Sequence, residues 1–222
     1  MRVTAERLTR PGTAALSDAM RKGGAMHHDM QCRSAKAAMA GPAFTVRVHA
    51  ADLLMIAPAL MECPKGHVLV IDGHGELNTA LWGELTTYSA QGKGLAGVVI
   101  DGAIRDARQV RQCAFPVFAR AVVPNAGGAE YLGEVNAAIS CAGQVVRPGD
   151  WIVGDEDGVV VIPFELARTV LATAERIVAA EKKIEKSIRA GVELSDLIGA
   201  QAAIEQKRAG VFIPQLRQKG SK

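Results

Sequence analysis

Two stretches, HVLVIDGHGE (67–76) and LAGVVID (95–101), carry short and nearly unbroken runs of branched aliphatic residues, each run closing on aspartate before a glycine. A strand with one solvated face alternates polar with apolar residues. Runs without that alternation suit strands buried on both faces, as in the middle of a parallel sheet. Parallel neighbours need a crossover between them, and the intervening LNTALWGELTTYSAQGKG (77–94) has helical spacing, with Gly83 as a weak point and Gly92-Lys93-Gly94 as its exit. Such a pattern commits the chain to an α/β fold.

The rest of the chain fits that class. Pro11-Gly12 precedes a helical segment at 13–22, and 41–52 alternates through Phe44, Val46 and Val48 as a half-buried strand. Residues 53–64 are apolar at helical intervals and stop at Pro64; 103–113 reads as a helix and 115–124 as a strand. The segment 143–163 predicts two or three short strands, punctuated by Pro148-Gly149-Asp150 and Asp157-Gly158. From Phe164 to about Ala190 a long helix carries alternating charges and ends at Gly191. The sheet should therefore be mixed. No linker composition interrupts 1–222, so one domain is expected, with 205–222 as a basic tail, loosely held or packed on a neighbouring subunit.

Composition removes several classes of function. With 26 basic and 23 acidic residues the net charge is +3, close to balance, which argues against a nucleic-acid surface. The N-terminus MRVTAERLTRPGTAALSDAM has no apolar signal core, and there is no run of about 18 apolar residues, so a soluble, cytoplasmic protein without a membrane partner is expected. The four cysteines (Cys32, Cys63, Cys113, Cys141) are widely spaced with no CxxC pair, which points to reduced thiols. No GxGxxG, GxxxxGK[ST] or GxSxG motif occurs, which removes nucleotide-dependent and serine-hydrolase readings. Lysine Schiff-base chemistry is not excluded, but Lys93 between two glycines is a loop lysine, and no lysine lies in an apolar strand.

Three places can carry chemistry. Asp101, Arg105 and Asp106 leave the end of one buried strand, where α/β folds gather ligands, although a carboxylate also suits the first turn of a helix for electrostatic reasons alone. If a helix starts near Gly83, the amides of Leu85 and Thr86 are free to bind an anion, with Glu84 at the same mouth; an exposed glutamate on an amphipathic helix is the ordinary alternative. His74 follows a strand end, yet none of the five histidines has zinc-binding spacing. Glu181 and Glu185, one turn apart among lysines, read as helix-surface ion pairs.

From Glu84 to Arg105 there are twenty intervening residues, and Asp106 follows at once. An acid, twenty residues, then Arg-Asp resembles the signature of the class II pyruvate aldolases that cleave 4-hydroxy-4-methyl-2-oxoglutarate and 4-carboxy-4-hydroxy-2-oxoadipate. The flanking VIDGHGELNTALWGELTT, GVVIDGAIRD and GDWIVGDEDGVVVIP are similar to the same RraA-like superfamily over about residues 10–195, a group that also contains ribonuclease E inhibitors. The resemblance implies a layered β/β/α sandwich with a mixed sheet and a long C-terminal helix (164–190) that packs on a neighbouring subunit of a trimer or hexamer. It further implies that Asp106 ligates Mg²⁺ or Mn²⁺ and that Arg105 contacts the keto oxygen of a small 2-keto acid. The amides at Leu85 and Thr86, after Gly83, would hold the substrate carboxylate, while Glu84 and a neighbouring subunit's Glu181 reach the metal through water. The implied activity is retro-aldol cleavage to pyruvate, with oxaloacetate decarboxylation beside it. The rival is a regulator of ribonuclease E acting by contact, a branch that typically lacks the aspartate of the Arg-Asp pair. This chain departs from the usual pattern in having Glu84 where aspartate is common and Gln109 where an acid is frequent.

Overall fold

A computed structural model describes residues 2–210. Two short helices, α1 (Ala5–Thr9) and α2 (Gly12–Ala19), precede β1 (Gln31–Cys32) and β2 (Met39–Arg47). Helices and strands then alternate through α3 (Ile56–Glu62), β3 (Val68–Trp82), α4 (Glu84–Gly92), β4 (Gly97–Ile104), α5 (Ala107–Val110) and β5 (Val117–Val122). Short strands follow: β6 (Glu134–Val135), β7 (Ile139–Cys141), β8 (Gln144–Val146), β9 (Trp151–Asp155) and β10 (Gly158–Ile162). A 3-10 turn at Phe164–Leu166 leads into the long α6 (Ala167–Arg189), followed by α7 (Leu194–Leu197) and α8 (Ala200–Arg208).

The main sheet has eight strands in the order β1-β5-β4-β3-β2-β9-β10, with β6 on β2. Strands β2 to β5 run parallel; β1, β6, β9 and β10 pair antiparallel, so the sheet is mixed. Strand β2 serves three partners: Met39 to Pro42 lie against β9, Ala43 to Arg47 lie against β3, and Val46 and Arg47 also pair with β6. β7 and β8 form a separate two-stranded ladder.

The unbroken apolar runs are explained by what covers each face. Leu69 and Ile71 of β3, Val98 and Ile100 of β4, and Val117 of β5 pack with Ile56 and Leu60 of α3, Ala90 of α4 and Val110 of α5. Val68, Val70, Val99 and Phe118 point the other way, into a second core with Ile139, Cys141, Val146, Ile152, Val159 and Val161 of the later strands. Helices, parallel sheet and β-layer thus form the β/β/α sandwich. Each such side chain buried from water contributes about 1.5–3 kcal/mol, so polar residues at either set of positions would be selected against. All four cysteines are free thiols, and burial pushes Cys63 up to about 12.

Several boundaries differ from the sequence reading. Residues 77–82, predicted as helix, continue β3, and α4 begins only at Glu84. Ala103 and Ile104, predicted as helix, complete β4, which leaves α5 only Ala107–Val110. The hydrophobic spacing misled because β3 is interrupted: its register against β4 shifts between Asp72 and Glu76, Glu76 and Ala80, and Ala80 and Trp82. A bulged strand breaks the two-residue period on which the distinction rests.

The chain divides into two compact units, Met1–Glu175 and Arg176–Lys222. The first holds the sheet and its covering layers. In the second, α6 ends at Gly191, whose φ of 90° suits a glycine, while the Val192 amide donates to the Ser187 carbonyl. Of the expected tail at 205–222, residues 205–208 belong to α8, and 211–222 lie outside the described residues. No described helix is long and apolar enough to cross a membrane.

Asp101 turns away from the strand end and serves the fold. Its carboxylate accepts from Arg120 at 3.0 Å and from the Ala142 amide at 2.7 Å, fastening the turn after β7 to the centre of the sheet. Arg120 is itself shared with Asp29 at 2.9 Å. Asp101→Ala leaves that cation and the Ala142 amide short of an acceptor and should destabilise the protein by about 2–3 kcal/mol. Urea denaturation of the variant beside wild type measures this.

Candidate functional site

The register that emerges from the β3 bulge builds the site. Trp82 faces Ile104 across the parallel pair, and the Arg105 amide donates to the Trp82 carbonyl at 2.9 Å. The next residues of each strand, Gly83-Glu84 and Arg105-Asp106, therefore leave the sheet side by side at the carboxyl ends of β3 and β4. That is where open α/β sheets bind ligands.

Asp106 adopts the left-handed conformation, φ 57° and ψ 36°, which aspartate tolerates better than most side chains. Its Oδ2 accepts from the Glu84 amide at 3.1 Å, tying the start of α4 to the exit of β4. Glycine at 83 is required by this approach: a Cβ there would lie 2.5 Å from Asp106 Oδ2 and 3.2 Å from Arg105 Cγ. Thr86 Oγ1 accepts from the Gly83 amide at 3.0 Å and closes the first turn of α4. Thr87 Oγ1 accepts from the Trp82 indole and donates to the Gly83 carbonyl, both at 2.8 Å.

With those groups satisfied, the amides of Leu85 and Thr86 have no acceptor among the described residues. They emerge at the positive end of the α4 dipole, and Leu85 is 78% exposed, so an anion can reach them. The Arg105 guanidinium is half-exposed, with Nε 3.6 Å from Asp106 Oδ2 and no other ion pair among the described residues. Glu84 is half-buried at the first position of α4 and accepts from the Tyr88 hydroxyl at 3.0 Å. That bond to a carboxylate, with its charge, holds the Tyr88 pKa above the ordinary value. Burial raises Cys113, and the Glu84 charge adds to it.

Gly83, Glu84, Leu85, Thr86, Arg105 and Asp106, all named from sequence, thus converge on one mouth. Glu181 lies exposed on α6 in the second compact unit. Asp101 leaves the candidate set, as its carboxylate is committed to Arg120 and Ala142. His74 bonds the Val48 carbonyl through Nε2 at 3.0 Å, which makes it a structural histidine. Tyr88 was missed in sequence; its spacing of four from Glu84 on a helix was the available signal.

The arrangement can be set beside known proteins. The profile of the RraA-like family, described as Aldolase/RraA, matches residues 13–161. The chain belongs to the RraA-like family. A 4-hydroxy-4-methyl-2-oxoglutarate aldolase of Thermus thermophilus is 36% identical over 151 residues, covering 68% of this chain and 92% of that one. Among solved structures, the RNA-processing inhibitor RraA from Thermus thermophilus superposes with a TM-score of 0.63 at 33% identity, over 73% of this chain and 94% of that one. An uncharacterised protein from Pseudomonas syringae gives 0.79 at 29% identity, over 86% and 90%. The RraA-like fold accounts for the mixed sheet and its β-layer.

The family's aldolase signature implies a divalent ion, and the donors at this mouth can be tested against one. Asp106 Oδ1 receives no hydrogen bond from the described residues, which leaves a hard oxygen facing out beside Glu84. No group of three or more His, Cys, Asp or Glu among the described residues could cage a metal. One carboxylate with open positions fits an ion that keeps most of its waters, as Mg²⁺ and Mn²⁺ do, and fits zinc poorly. Gly83→Ala should displace the Asp106 carboxylate from the Glu84 amide; an ion held by this carboxylate would then bind roughly tenfold more weakly in an electron paramagnetic resonance titration with Mn²⁺, while circular dichroism stays native.

Proposed function

We propose that this RraA-like protein is a divalent-metal-dependent lyase. It would cleave 4-hydroxy-4-methyl-2-oxoglutarate or 4-carboxy-4-hydroxy-2-oxoadipate to pyruvate and a second keto acid, and decarboxylate oxaloacetate. The observation that carries this reading is the bond from the Glu84 amide to Asp106 Oδ2. It puts a carboxylate, a guanidinium and two free amides around one opening. Membership in a family with relatives named as such aldolases supports the choice of substrate class.

The residues divide the work by charge. The Leu85 and Thr86 amides take the carboxylate shared by all 2-keto acids. Arg105 faces the adjacent keto oxygen, where negative charge grows as the C3–C4 bond breaks and its electrons pass to the pyruvate half as an enolate. Asp106 would hold Mg²⁺ or Mn²⁺, which supplies a Lewis acid to the same oxygen. Glu84 is placed to accept the proton of the C4 hydroxyl, directly or through water, and a proton returned to C3 completes pyruvate. In decarboxylation CO₂ leaves in place of the second keto acid, so no proton acceptor is needed for bond cleavage.

A homo-oligomer completes the proposal. Ile177, Glu181, Ile184 and Ile188 fall on one stripe of α6, an apolar face that invites burial against another copy, from which Glu181 would join the site. The contact-type regulator of ribonuclease E is the rival reading, and the presence of Asp106 weighs against it.

Pyruvate release from oxaloacetate and the two aldols, with and without EDTA, tests the activity. Turnover should be lost with EDTA and restored by Mg²⁺ or Mn²⁺; absent or metal-independent turnover of all three would favour the regulator. Arg105→Ala should lower turnover by roughly 10²–10³-fold with Mn²⁺ binding retained. Asp106→Ala should lose both Mn²⁺ binding and metal-dependent turnover, as calorimetry and the same assay would show.

A further inference from the structure

Glu84 carries a long, flexible side chain at the mouth of the site. It occupies the first position of α4, its amide is held by Asp106, and its carboxylate sits beyond one more rotatable bond than aspartate would have. Left free, that extra bond would spread the carboxylate over several rotamers. Tyr88, one turn along the same helix, donates its hydroxyl to Glu84 Oε1 at 3.0 Å. No other described residue donates to this carboxylate.

The tyrosine is hard to explain by packing. Tyr88 is 50% exposed, it belongs to neither buried cluster, and its hydroxyl makes no hydrogen bond to a described residue other than Glu84. An O–H donated to a carboxylate is directional, and an i,i+4 pair on a helix surface contributes a few tenths of a kcal/mol, enough to bias Glu84 toward one rotamer. The shorter aspartate at this position would end one methylene short of the hydroxyl.

We propose that Tyr88 is a positioning residue: its hydroxyl holds the Glu84 carboxylate at the mouth of the site. The proposal rests on the lyase reading for its kinetic consequence and on the geometry alone for the bond.

Tyr88→Phe removes only the hydroxyl from an exposed ring. It should lower kcat on oxaloacetate and the aldols by roughly three- to tenfold, with KM unchanged. In a Glu84→Asp background the same substitution should have no effect, because the carboxylate no longer reaches the hydroxyl. With tyrosine rings carbon-13-labelled, the Tyr88 Cζ resonance should move in Glu84→Ala while that of Tyr131 stays. An unmoved Tyr88 resonance overturns the proposal whatever the kinetics show. An unchanged kcat in Tyr88→Phe, or an equal loss in both backgrounds, also overturns it. Wild-type protein inactive on all three keto acids sinks the lyase reading, and the resonance then still decides whether Tyr88 holds Glu84.

Discussion

Everything at the candidate site depends on how β3 and β4 come out of register. At the base of the pair Val68 faces Gly97 and Asp72 faces Asp101, a constant offset of 29 residues. By Trp82 and Ile104 the offset is 22, because β3 bulges through DGHGELNTAL while β4 runs almost straight. Glu84 and Asp106 are also 22 apart. The interval of the acid–Arg-Asp signature is therefore the parallel register carried two residues past the sheet. With the un-bulged offset, Glu84 would fall opposite position 113, and the carboxylate, guanidinium and amides could not meet.

The bulge also separates two aspartates that look alike in sequence. Asp101 lies within β4 on the face of Val99, so it points into the β-layer and is satisfied by Arg120 and Ala142. Asp106 lies past the strand, and its left-handed backbone swings the carboxylate back over Gly83. One is neutralised in the interior by a cation and an amide. The other keeps one oxygen free and stands half-exposed beside a guanidinium with no other ion pair among the described residues. The two carboxylates thus differ in how far their hydrogen-bonding capacity is spent. Burial and pairing consume it in the first case, and exposure leaves it available in the second.

Local sequence was a good guide wherever one period held. The runs at β3 and β4 and the charged length of α6 each obey a single rule over enough residues to be read. The alternation at 41–52 did not: β2 ends at Arg47 and is buried on both faces, with Phe44 and Val46 in one core and Met39 and Ala43 in the other, because the β-layer covers the face expected to meet solvent. Local sequence also failed at 77–82, where Leu77, Leu81 and Leu85 recur every four residues as in a helix, yet Leu81 and Trp82 belong to the resumed strand, both buried in the helix-side core. Ala103 and Ile104 were misplaced for the same reason: a strand end and a helix start share apolar residues, and only pairing partners tell them apart.

By itself the sequence determined the α/β class and the two-sided burial of the central strands, because unbroken aliphatic runs have no other stable place. It also determined the chemistry on offer, since a carboxylate, a guanidinium and a glycine before a helix are fixed by residue type. The tertiary structure alone decided which of these groups meet. Register is a long-range property, set by the hydrogen bonds and packing of a bulged strand against its neighbour, and no local window contains both. It moved Asp101 into the fold and brought Gly83 under Asp106.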